Sequence, residues 1–494
     1  MEEYRHLIIF GCVAAYMVMC LVVGLWAMKK TKSTQDFFMA GRHLGVIVAS
    51  VAVFSSTMSG FGFVGGPGLV YNMGVSSFWM CISSSIGIPI TFYLLGKRLR
   101  MFAELRDPVS LSDVVQARYG APSTAGLTAV AVLLGVLGYL ATQIWAMSHV
   151  LHSIFGNVSW IGEVPLVWCA TISCAVLVFY CVTGGIIASV YTDLVQGLIM
   201  VVAAVLVMFA AMSAVEGGFE GMSRTILEDD TESMQPWGTY GMVGCLSWYF
   251  IFAIGACGQP HIITKMMMTR RVEDARHMLP MSVIGYGMTM LLWISIGLSM
   301  RALVIQGGHP QLGQADDAAS EFLQFYANPI LAGVVFAGLF AAIMSTADSF
   351  LNIGAAAIVH DIPRAVRGES LKNELFWART ATVIIAVVAT GFALYSKDLV
   401  ALLGAFGWGT FAAAIVPTVA IGFNWKRATP LACNVAILSS LGINFVLRLF
   451  NVTLPFNFNG GALSMLVSLT LFFVISILSE RQKIDPDIDA AMDL

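Results

Sequence analysis

One long apolar stretch of the sequence carries a row of oxygen-bearing side chains near its centre. Its residues run Ala342-Ile-Met-Ser345-Thr346-Ala-Asp348-Ser349. On a helix, these spacings place the three hydroxyls on one face with Ala342, and Asp348 borders that face. A lone hydroxyl in an apolar helix usually bonds back to its own backbone, whereas three hydroxyls and a carboxylate together favour a cation site. Hydroxyls combined with carbonyls suit a hard ion of low charge, Na⁺ rather than Ca²⁺.

Asp193 is a second carboxylate deep in an apolar stretch. A charge near the bilayer centre costs at least about 2.5–3.5 kcal/mol, which makes such residues functional candidates. Because Asp193 follows Gly184-Gly185 and Thr192, it is also well placed to cap a helix N-terminus. The spacing alone leaves both interpretations open.

The composition of the whole chain is that of a membrane protein. Of its 494 residues, 58% are hydrophobic and 11% charged, against about 25% charged in soluble domains. The net charge of −3 lacks the basic excess of a nucleic-acid binder. The nine cysteines lie in or beside apolar runs without a CxxC pair, which is typical of buried apolar side chains. The sequence contains no HExxH, GxSxG or P-loop motif, so it does not indicate an enzyme or an ATPase.

Thirteen apolar stretches are long enough to cross a bilayer as helices. They begin near Leu7, Leu44, Val75, Ala125, Val164, Ile187, Thr239, Met278, Glu321, Phe376, Asp398, Pro430 and Gly460. With the N-terminus outside, 21 of the 26 basic residues fall in inside loops, Lys265 among them, while Lys397 falls outside. The positive-inside rule therefore predicts an outer N-terminus and a cytoplasmic C-terminus in the cell (inner) membrane. No Lys or Arg is then expected within the spans.

Two of the stretches contain residues that interrupt a helix at membrane depth. The second contains Ser59-Gly60-Phe-Gly62 and Gly65-Gly66-Pro67, and the seventh contains Gly255 and Gly258-Gln259-Pro260. Interrupted backbone is tolerated in a bilayer only where protein or a watery cavity surrounds it. The two breaks are five spans apart, which predicts two inverted units of five spans. Matched breaks in inverted halves indicate the midplane binding site of a transporter, and without an ATP-binding motif the energy must come from an ion gradient.

This organisation predicts an all-α membrane protein built from consecutive units. The units are the first helix with its cytoplasmic loop (1–43), the first inverted repeat (44–213), an acidic extracellular loop (214–238), the second repeat (239–424), two C-terminal helices (425–480) and a cytoplasmic tail (481–494).

Four short motifs resemble the sodium:solute symporter family. The stretch Gly184-Gly185-Ile-Ile-Ala-Ser-Val-Tyr-Thr192-Asp193-Leu-Val-Gln196 is similar to the family's GGxxAVxxTDxxQ, with Ser189 replacing the Val. The supporting motifs are Asp36-Phe-Phe-Met-Ala-Gly41-Arg42, Ala117-Arg118-Tyr119-Gly120 and Gly258-Gln259-Pro260-His261, the last being similar to the sodium/proline symporter-like branch. The likeness runs from about residue 7 to residue 480. It implies the LeuT-type fold, with one helix before and two after the inverted repeats, and sodium-coupled symport of a small organic solute.

The resemblance also implies sodium ligands. The main site would use the carbonyls of Ser55, Met58 and Ala342 and the hydroxyls of Ser345 and Thr346. Some members have a second sodium near the acid of the sixth span, which implies Asp193, Ser345, Asp348 and Ser349 here. The family position of Asp348 is expected to hold a small hydroxyl residue. Asp348 is therefore predicted to share a cation with Asp193, and a proton carrier or a structural hydrogen bond are the alternatives.

Residues around the two breaks are candidates to line the solute site. They are Thr57, Ser59, Phe61, Trp145, Phe252, Ala256, Gln259, Phe406 and Trp408, and His261 is the one histidine of interest. The sodium/proline branch carries large aromatics where this chain has Phe252 and Ala256, which predicts a roomier pocket. Without a basic residue in the spans, a solute carboxylate would depend on open helix N-termini and hydroxyls. The predicted solute is a small amino acid or monocarboxylate.

Two other functions are compatible with the same sequence. One is proton-coupled symport on the same fold. The other is a sensor that binds a solute without moving it, although only 14 residues follow Glu480 and a separate signalling partner would be needed. The predicted partners are Na⁺, the solute and the lipid bilayer, with no organic cofactor.

Overall fold

The computed structural model describes residues 4–42, 44–156, 164–395 and 400–493, and this part of the chain is helical without β-strands. The α-helices are α1 (Arg5–Met28), α2 (Thr34–Met39), α3 (Val46–Thr57), α4 (Gly66–Met73), α5 (Phe78–Thr91), α6 (Lys97–Arg106), α7 (Leu111–Tyr119), α8 (Pro122–Gly156), α9 (Leu166–Ala214), α10 (Gly218–Asp229), α11 (Met242–Tyr249), α12 (Pro260–Met267), α13 (Asp274–Ile305), α14 (Ala318–Phe325), α15 (Pro329–Ala356), α16 (Ile362–Arg367), α17 (Glu374–Tyr395), α18 (Val400–Ile415), α19 (Pro430–Leu449), α20 (Gly460–Leu478) and α21 (Pro486–Met492).

Eleven of the described helical segments are long and apolar enough to cross a membrane. Two of these segments are more than twice as long as one crossing requires. Phe61–Arg106 has 46 residues and α9 has 49, whereas about 20 residues span the hydrocarbon core. Each contains a glycine with positive φ, Gly74 at 65° and Gly185 at 55°. If both segments are divided at these glycines, the eleven segments become thirteen spans, which is the predicted number. The short helix α3 is counted with the helical turns that follow it, as one span. The predicted start at Asp398 and the outside Lys397 lie outside the described residues.

Both predicted breaks are present. Helix α3 ends at Thr57, Met58 has an extended ψ of 96°, and the chain resumes in a π-helical turn before α4. Helix α11 passes through π-helical and 3-10 turns, and Gln259, with ψ at 110°, precedes α12. Pro260 begins α12 at the one helical position where its missing N–H is not needed. The sequence prediction of two discontinuous helices is confirmed.

Helix α15 lies at the centre of the helix packing. It contacts α1, α3, α8, α9 and α17, and its residues from Val335 to Asn352 are buried. In contrast, α1 and α17 each expose large apolar side chains, such as Val22 and Val387. Exposed apolar surface on the outermost helices fits a protein surrounded by lipid, and the oxygen-bearing centre of α15 is covered by other helices.

The turn at Gly185 generates a stability prediction. Its φ of 55° and ψ of −151° lie in a region that only glycine adopts readily, and an added Cβ would come within 2.6 Å of the Phe37 ring. We expect Gly185→Ala to lower the free energy of unfolding by at least about 1–3 kcal/mol. Thermal unfolding of the purified protein measures this.

Gly287→Ala, in the middle of α13, is the matched control. A Cβ there meets nothing within 4 Å, and a helical Gly to Ala change stabilises by up to about 1 kcal/mol. Equal destabilisation by the two substitutions would contradict the proposed role of Gly185.

Candidate functional site

The hydroxyls of α15 face the open end of α3. Ser345 Oγ lies 3.0 Å from the carbonyl oxygen of Ser55 and 3.0 Å from that of Ala342. Thr346 Oγ1 lies 2.9 Å from the carbonyl oxygen of Ser56 and 3.3 Å from that of Ala342. Five oxygens, two of them hydroxyl and three carbonyl, therefore converge where α3 stops.

In this oxygen cluster, two hydroxyl protons are shared among three carbonyl oxygens, of which that of Ala342 lies inside α15 and also accepts a backbone N–H. Each hydroxyl has one hydrogen to donate, so Ser345 and Thr346 satisfy only two of their four short contacts. All of these residues are buried, with Ser345 and Thr346 fully so. Buried hydroxyl and carbonyl oxygens are suitable ligands for a hard monovalent cation, and four of the five predicted ligands, Ser55, Ala342, Ser345 and Thr346, contribute atoms to this cluster. Met58, the fifth, is buried at the adjoining break, while Ser56 was not predicted.

Asp348 is held by hydroxyl groups. Tyr180 donates a hydrogen bond of 2.5 Å to one carboxylate oxygen, and Ser189 donates one of 2.7 Å to the other. Ser349 adds a longer contact of 3.3 Å. The family motif has Val where this chain has Ser189, and the Ser189 hydroxyl bonds to Asp348, where the family is expected to have a small hydroxyl residue. The two departures from the family pattern are therefore in contact.

Asp193 bonds to a lysine rather than capping a helix. Lys265 Nζ on α12 donates to Asp193 Oδ2 at 3.0 Å and to the carbonyl oxygen of Ala52 at 2.8 Å. Both side chains are buried, with exposures of 1% for Lys265 and 0% for Asp193. The expectation that the spans contain no Lys is therefore wrong. Lys265 belongs to the helical segment Met242–Met267, because α12 continues beyond the point where the sequence suggested a loop.

The four residues predicted to bind a second sodium contact different groups. Asp348 and Ser349 contact each other, Ser345 belongs to the α3 cluster, and Asp193 bonds to Lys265. The other oxygen of Asp193 has no hydrogen-bond partner among the described residues. Two buried carboxylates therefore stand near one buried ammonium.

Aromatic side chains of both breaks meet beside the oxygen cluster. Phe61 stacks on Phe252 with ring centroids 5.6 Å apart, and Phe252 lies 5.3 Å from Trp408. Ser59 contacts the hydroxyl of Tyr139 at 3.2 Å. These predicted solute residues come together, as does Gln259, whose side-chain nitrogen donates to the carbonyl oxygen of Trp408 at 3.1 Å.

Several residues of this site were not predicted. Gln143 on α8 accepts a hydrogen bond of 2.8 Å from the backbone N–H of Gly60. Trp293 on α13 packs edge-on against Phe61, and Tyr139 and Phe350 surround the His261 ring. Among the described residues, the buried atoms without a hydrogen-bond partner include Gln143 Nε2, Gln259 Oε1, Trp293 Nε1 and both ring nitrogens of His261. Such a concentration of unpaired donors and acceptors is expected at a site that binds a polar ligand.

The remaining predicted solute residues have no ring or hydrogen-bond contact with this aromatic group among the described residues. Thr57 bonds back to the carbonyl of Val53 at 2.7 Å, and Trp145 packs on His149. Phe406 contacts Phe445 and the guanidinium of Arg448. Ala256 lies against α5, where a Cβ on Gly87 would approach it to 2.6 Å. Thr57 thus bonds within its own helix, and the other three side chains pack against their neighbours.

A narrow cavity runs from the oxygen-rich region to one end of the helices. It is lined by Ser349, Lys265, His261, Asn352, Ser110 and Asp361, among others. Its volume of about 30 Å³ is room for about two water molecules. The cavity thus lies between Ser349 and Lys265, which contact the two buried carboxylates, and residues near α7.

An ion-paired cluster lies next to Asp361, a residue of the cavity lining. His360 lies between Asp113, at 3.0 Å, and Glu374, at 2.9 Å, and Arg364 donates to Asp113 at 2.8 Å. Burial opposes ionisation of Asp113, but the hydrogen bond and charge of His360, with the charge of Arg364, hold the pKa of Asp113 below its ordinary value. These ion pairs join α7 to Arg364 of α16 and to the turn before α16, where His360 also pairs with α17.

Comparisons with known proteins agree with this geometry. A sequence model of the sodium:solute symporter family matches residues 37–433. The osmoregulated proline transporter of Bacillus subtilis (strain 168) is 28% identical over 421 residues, covering 83% of each chain. The sodium/proline symporter of Escherichia coli (strain K12) is 27% identical over 430 residues, covering 84% of this chain and 82% of the relative.

Solved structures share the fold. A Na⁺-coupled sialic acid symporter in a substrate-bound outward-open state has a TM-score of 0.78 at 19% identity, covering 97% of this chain and 99% of that one. A nucleobase-cation-symport-1 family transporter in a closed conformation has a TM-score of 0.56 at 14% identity, covering 92% and 98%. The protein is a sodium-coupled solute symporter of the LeuT-type fold. It belongs to the sodium:solute symporter family.

The buried ion pair generates a prediction on stability. Removing one partner leaves the other charge buried and unpaired, so Asp193→Asn and Lys265→Met should each lower the free energy of unfolding by about 3–5 kcal/mol. The double substitution removes both charges and should recover most of that loss. Thermal or denaturant unfolding of the four proteins measures the coupling. A double variant as unstable as the sum of the single ones would show that the two side chains do not interact.

Proposed function

We propose that this symporter imports a small amino acid or monocarboxylate together with Na⁺ bound in the oxygen cluster between α3 and α15. The observation that carries the proposal is the convergence of five buried oxygens at Ser345 and Thr346. A cation there joins the broken helix to α15. Na⁺ binding would therefore stabilise one arrangement of the two repeats, and ion release would free α3 to move.

A single coupled Na⁺ is favoured by Lys265. Its ammonium already contacts Asp193 and the Ala52 carbonyl, which are oxygens that a second cation would need. Asp348 is supplied with hydroxyl donors instead. Lys265 then serves as a fixed second positive charge, and a second Na⁺ bound by Asp193, Ser345, Asp348 and Ser349 is the competing outcome.

The solute site is proposed at the two breaks. Phe61, Phe252 and Trp408 supply apolar surface, and Gln143, Gln259 and Trp293 have unpaired polar atoms. Proline and sialic acid, the solutes that the names of the similar proteins state, both carry a carboxylate. Open backbone N–H groups at a broken helix suit such a group.

The proposed orientation follows the distribution of basic residues. The N-terminus is outside and the C-terminus cytoplasmic, so the narrow cavity and the His360 cluster face the cytoplasm. The proposed units are the two repeats, 44–213 and 239–424, preceded by one helix and followed by two. The acidic loop 214–238 then lies outside.

The function is tested by uptake into proteoliposomes. We expect uptake of amino acids or monocarboxylates with an inward Na⁺ gradient and much slower uptake with K⁺. Equal rates with Na⁺ and K⁺ would contradict sodium coupling through this site.

Thr346→Ala should weaken sodium binding, because it removes one oxygen of the cluster. The loss of one oxygen contact to a charged group corresponds to about a tenfold rise in the half-saturating Na⁺ concentration. Thr382→Ala is the matched control, since the buried Thr382 hydroxyl donates to the carbonyl of Ala378 in its own helix, at 2.9 Å. An unchanged sodium dependence in Thr346→Ala would remove Thr346 from the site.

The ion count is tested by the reversal potential of transport. With Lys265 as the fixed charge, we expect one Na⁺ per solute and a sodium Hill coefficient of about 1. Varying the Na⁺ and solute gradients at a set voltage gives the ratio directly. A ratio of two would assign a second Na⁺ to the carboxylates.

Gly258→Leu tests the solute site. A Cβ at Gly258 would lie 3.0 Å from the Ala412 backbone and from Val416, so a Leu side chain must fill the space at the second break. We expect the folded variant to lose the rise in melting temperature that solute gives the wild type. Gly442→Leu is the control, because a Cβ there meets nothing within 4 Å. Retained solute binding would place the site elsewhere.

A further inference from the structure

The segment that follows α20 folds back onto the other helices and contains α21. This helix has seven residues, and its Ile488 and Met492 side chains are 0% and 4% exposed. A helix this short is not stable alone in water, so its contacts with the rest of the chain hold it in place. We call residues 482–493 the strap.

One side of the strap binds α6. Arg106, the last residue of α6, donates to Asp487 Oδ1 at 2.8 Å and to Asp485 Oδ2 at 3.2 Å. Arg98, about two turns earlier in α6, donates from its Nε to the carbonyl oxygen of Met492 at 3.2 Å. Helix α6 is therefore attached to both ends of α21.

The other side of the strap binds the turn at 422–427 and the end of α7. Lys426 Nζ, in this turn, lies 2.9 Å from a carboxylate oxygen of Asp489 and 2.9 Å from one of Asp493. The Gln482 side chain donates to the carbonyl oxygen of Tyr119, the last residue of α7. The strap therefore joins α6 to two other parts of the molecule.

The narrow cavity near α7 lies between helices that the strap holds together. It is lined by His261 and Lys265 of α12, and by Ser112 of α7 and Asn352 of α15. Helix α6 packs against α12, so a movement of α12 away from α7 would carry α6 with it. Such a movement widens the cavity, and it also separates the elements to which the strap is bound. The strap therefore resists opening of the cavity.

The strap is held by charged groups that are partly exposed. Residues 484–493 contain four Asp and no Lys or Arg, whereas their partners are basic. The side chains of Asp487 and Lys426 are 41% and 29% exposed. An exposed ion pair shifts an equilibrium by at most about fivefold. Because the Debye length falls from about 10 Å at 0.1 M salt to about 3 Å at 1 M, these attractions weaken together as the ionic strength rises.

We propose that the strap is a salt-sensitive restraint on the narrow cavity. At low ionic strength it stays bound to α6 and to the 422–427 turn and keeps the cavity closed. At high ionic strength it detaches, and the cavity opens more often. This regulation goes beyond the proposed function, because it depends neither on the identity of the solute nor on the number of coupled Na⁺ ions.

The test measures detachment and opening separately on the full chain, purified in detergent without Na⁺ or solute. Hydrogen–deuterium exchange of the backbone amides of 486–493 reports detachment of the strap. Alkylation of Ala356→Cys by N-ethylmaleimide reports opening, because Ala356 lines the cavity and is only 4% exposed. The chain without this substitution gives the background of the nine native cysteines. We expect choline chloride, raised from about 0.1 M to about 1 M, to speed both exchange and alkylation.

Neutralising the strap should have the same effect as salt. Asp487→Asn combined with Asp489→Asn removes an ion pair on each side of the strap. We expect both rates at low salt to rise about fivefold or more and to lose most of their salt dependence. The charge swap of Arg106→Asp with Asp487→Arg should restore slow rates. Arg224→Gln, whose side chain pairs with Glu220 elsewhere on the surface, is the control and should keep both rates at wild-type values.

Two outcomes would overturn the proposal. Faster exchange of the strap without faster alkylation of Ala356→Cys would show that the strap detaches but does not hold the cavity closed. Rates that neither salt nor the two Asn substitutions change would show that charge does not hold the strap. Neither measurement uses Na⁺ or a solute, so a failure of the proposed function leaves both results interpretable.

Discussion

The structure depends on satisfying the backbone that is exposed where α3 stops. In a membrane interior, each unpaired backbone group costs several kcal/mol, and the residues of the break are buried. Helix α15 supplies hydroxyls to the carbonyls of Ser55 and Ser56, and Gln143 accepts the N–H of Gly60. The break is thus held by side chains of two other helices. The hydroxyl and carbonyl oxygens that meet here are ligand types that a hard monovalent cation prefers.

The buried charges are likewise compensated by side chains of neighbouring helices. Asp348 is solvated by Tyr180 and Ser189, while Asp193 is neutralised by Lys265. Neither acid is left wholly without a partner, although one oxygen of Asp193 is unpaired. Lys265 also bonds to the Ala52 carbonyl of α3, so the ion pair links α9 and α12 to the helix whose end forms part of the oxygen cluster. Movement of α3 during transport would disturb this link.

The sequence predicted the helical fold, the two breaks and the α15 hydroxyl row, because each rests on local signals such as apolar length, Gly and Pro positions and helical spacing. Lys265 was missed because a basic residue near the end of an apolar run is indistinguishable from a loop residue. Gln143 was missed because its partner, Gly60, is 83 positions away in sequence. Phe406 and Trp408 were both predicted to line one site, but residues two apart point to different sides of a helix, and only Trp408 reaches the centre.

The most direct test of the oxygen cluster is equilibrium binding of radioactive Na⁺ to the purified protein without solute. The structure predicts saturable binding of one Na⁺ per chain, which unlabelled Na⁺ displaces and K⁺ does not, and which Ser345→Ala greatly weakens while Thr382→Ala leaves intact. Binding that persists unchanged in folded Ser345→Ala protein would contradict the assignment of sodium to the junction of α3 and α15.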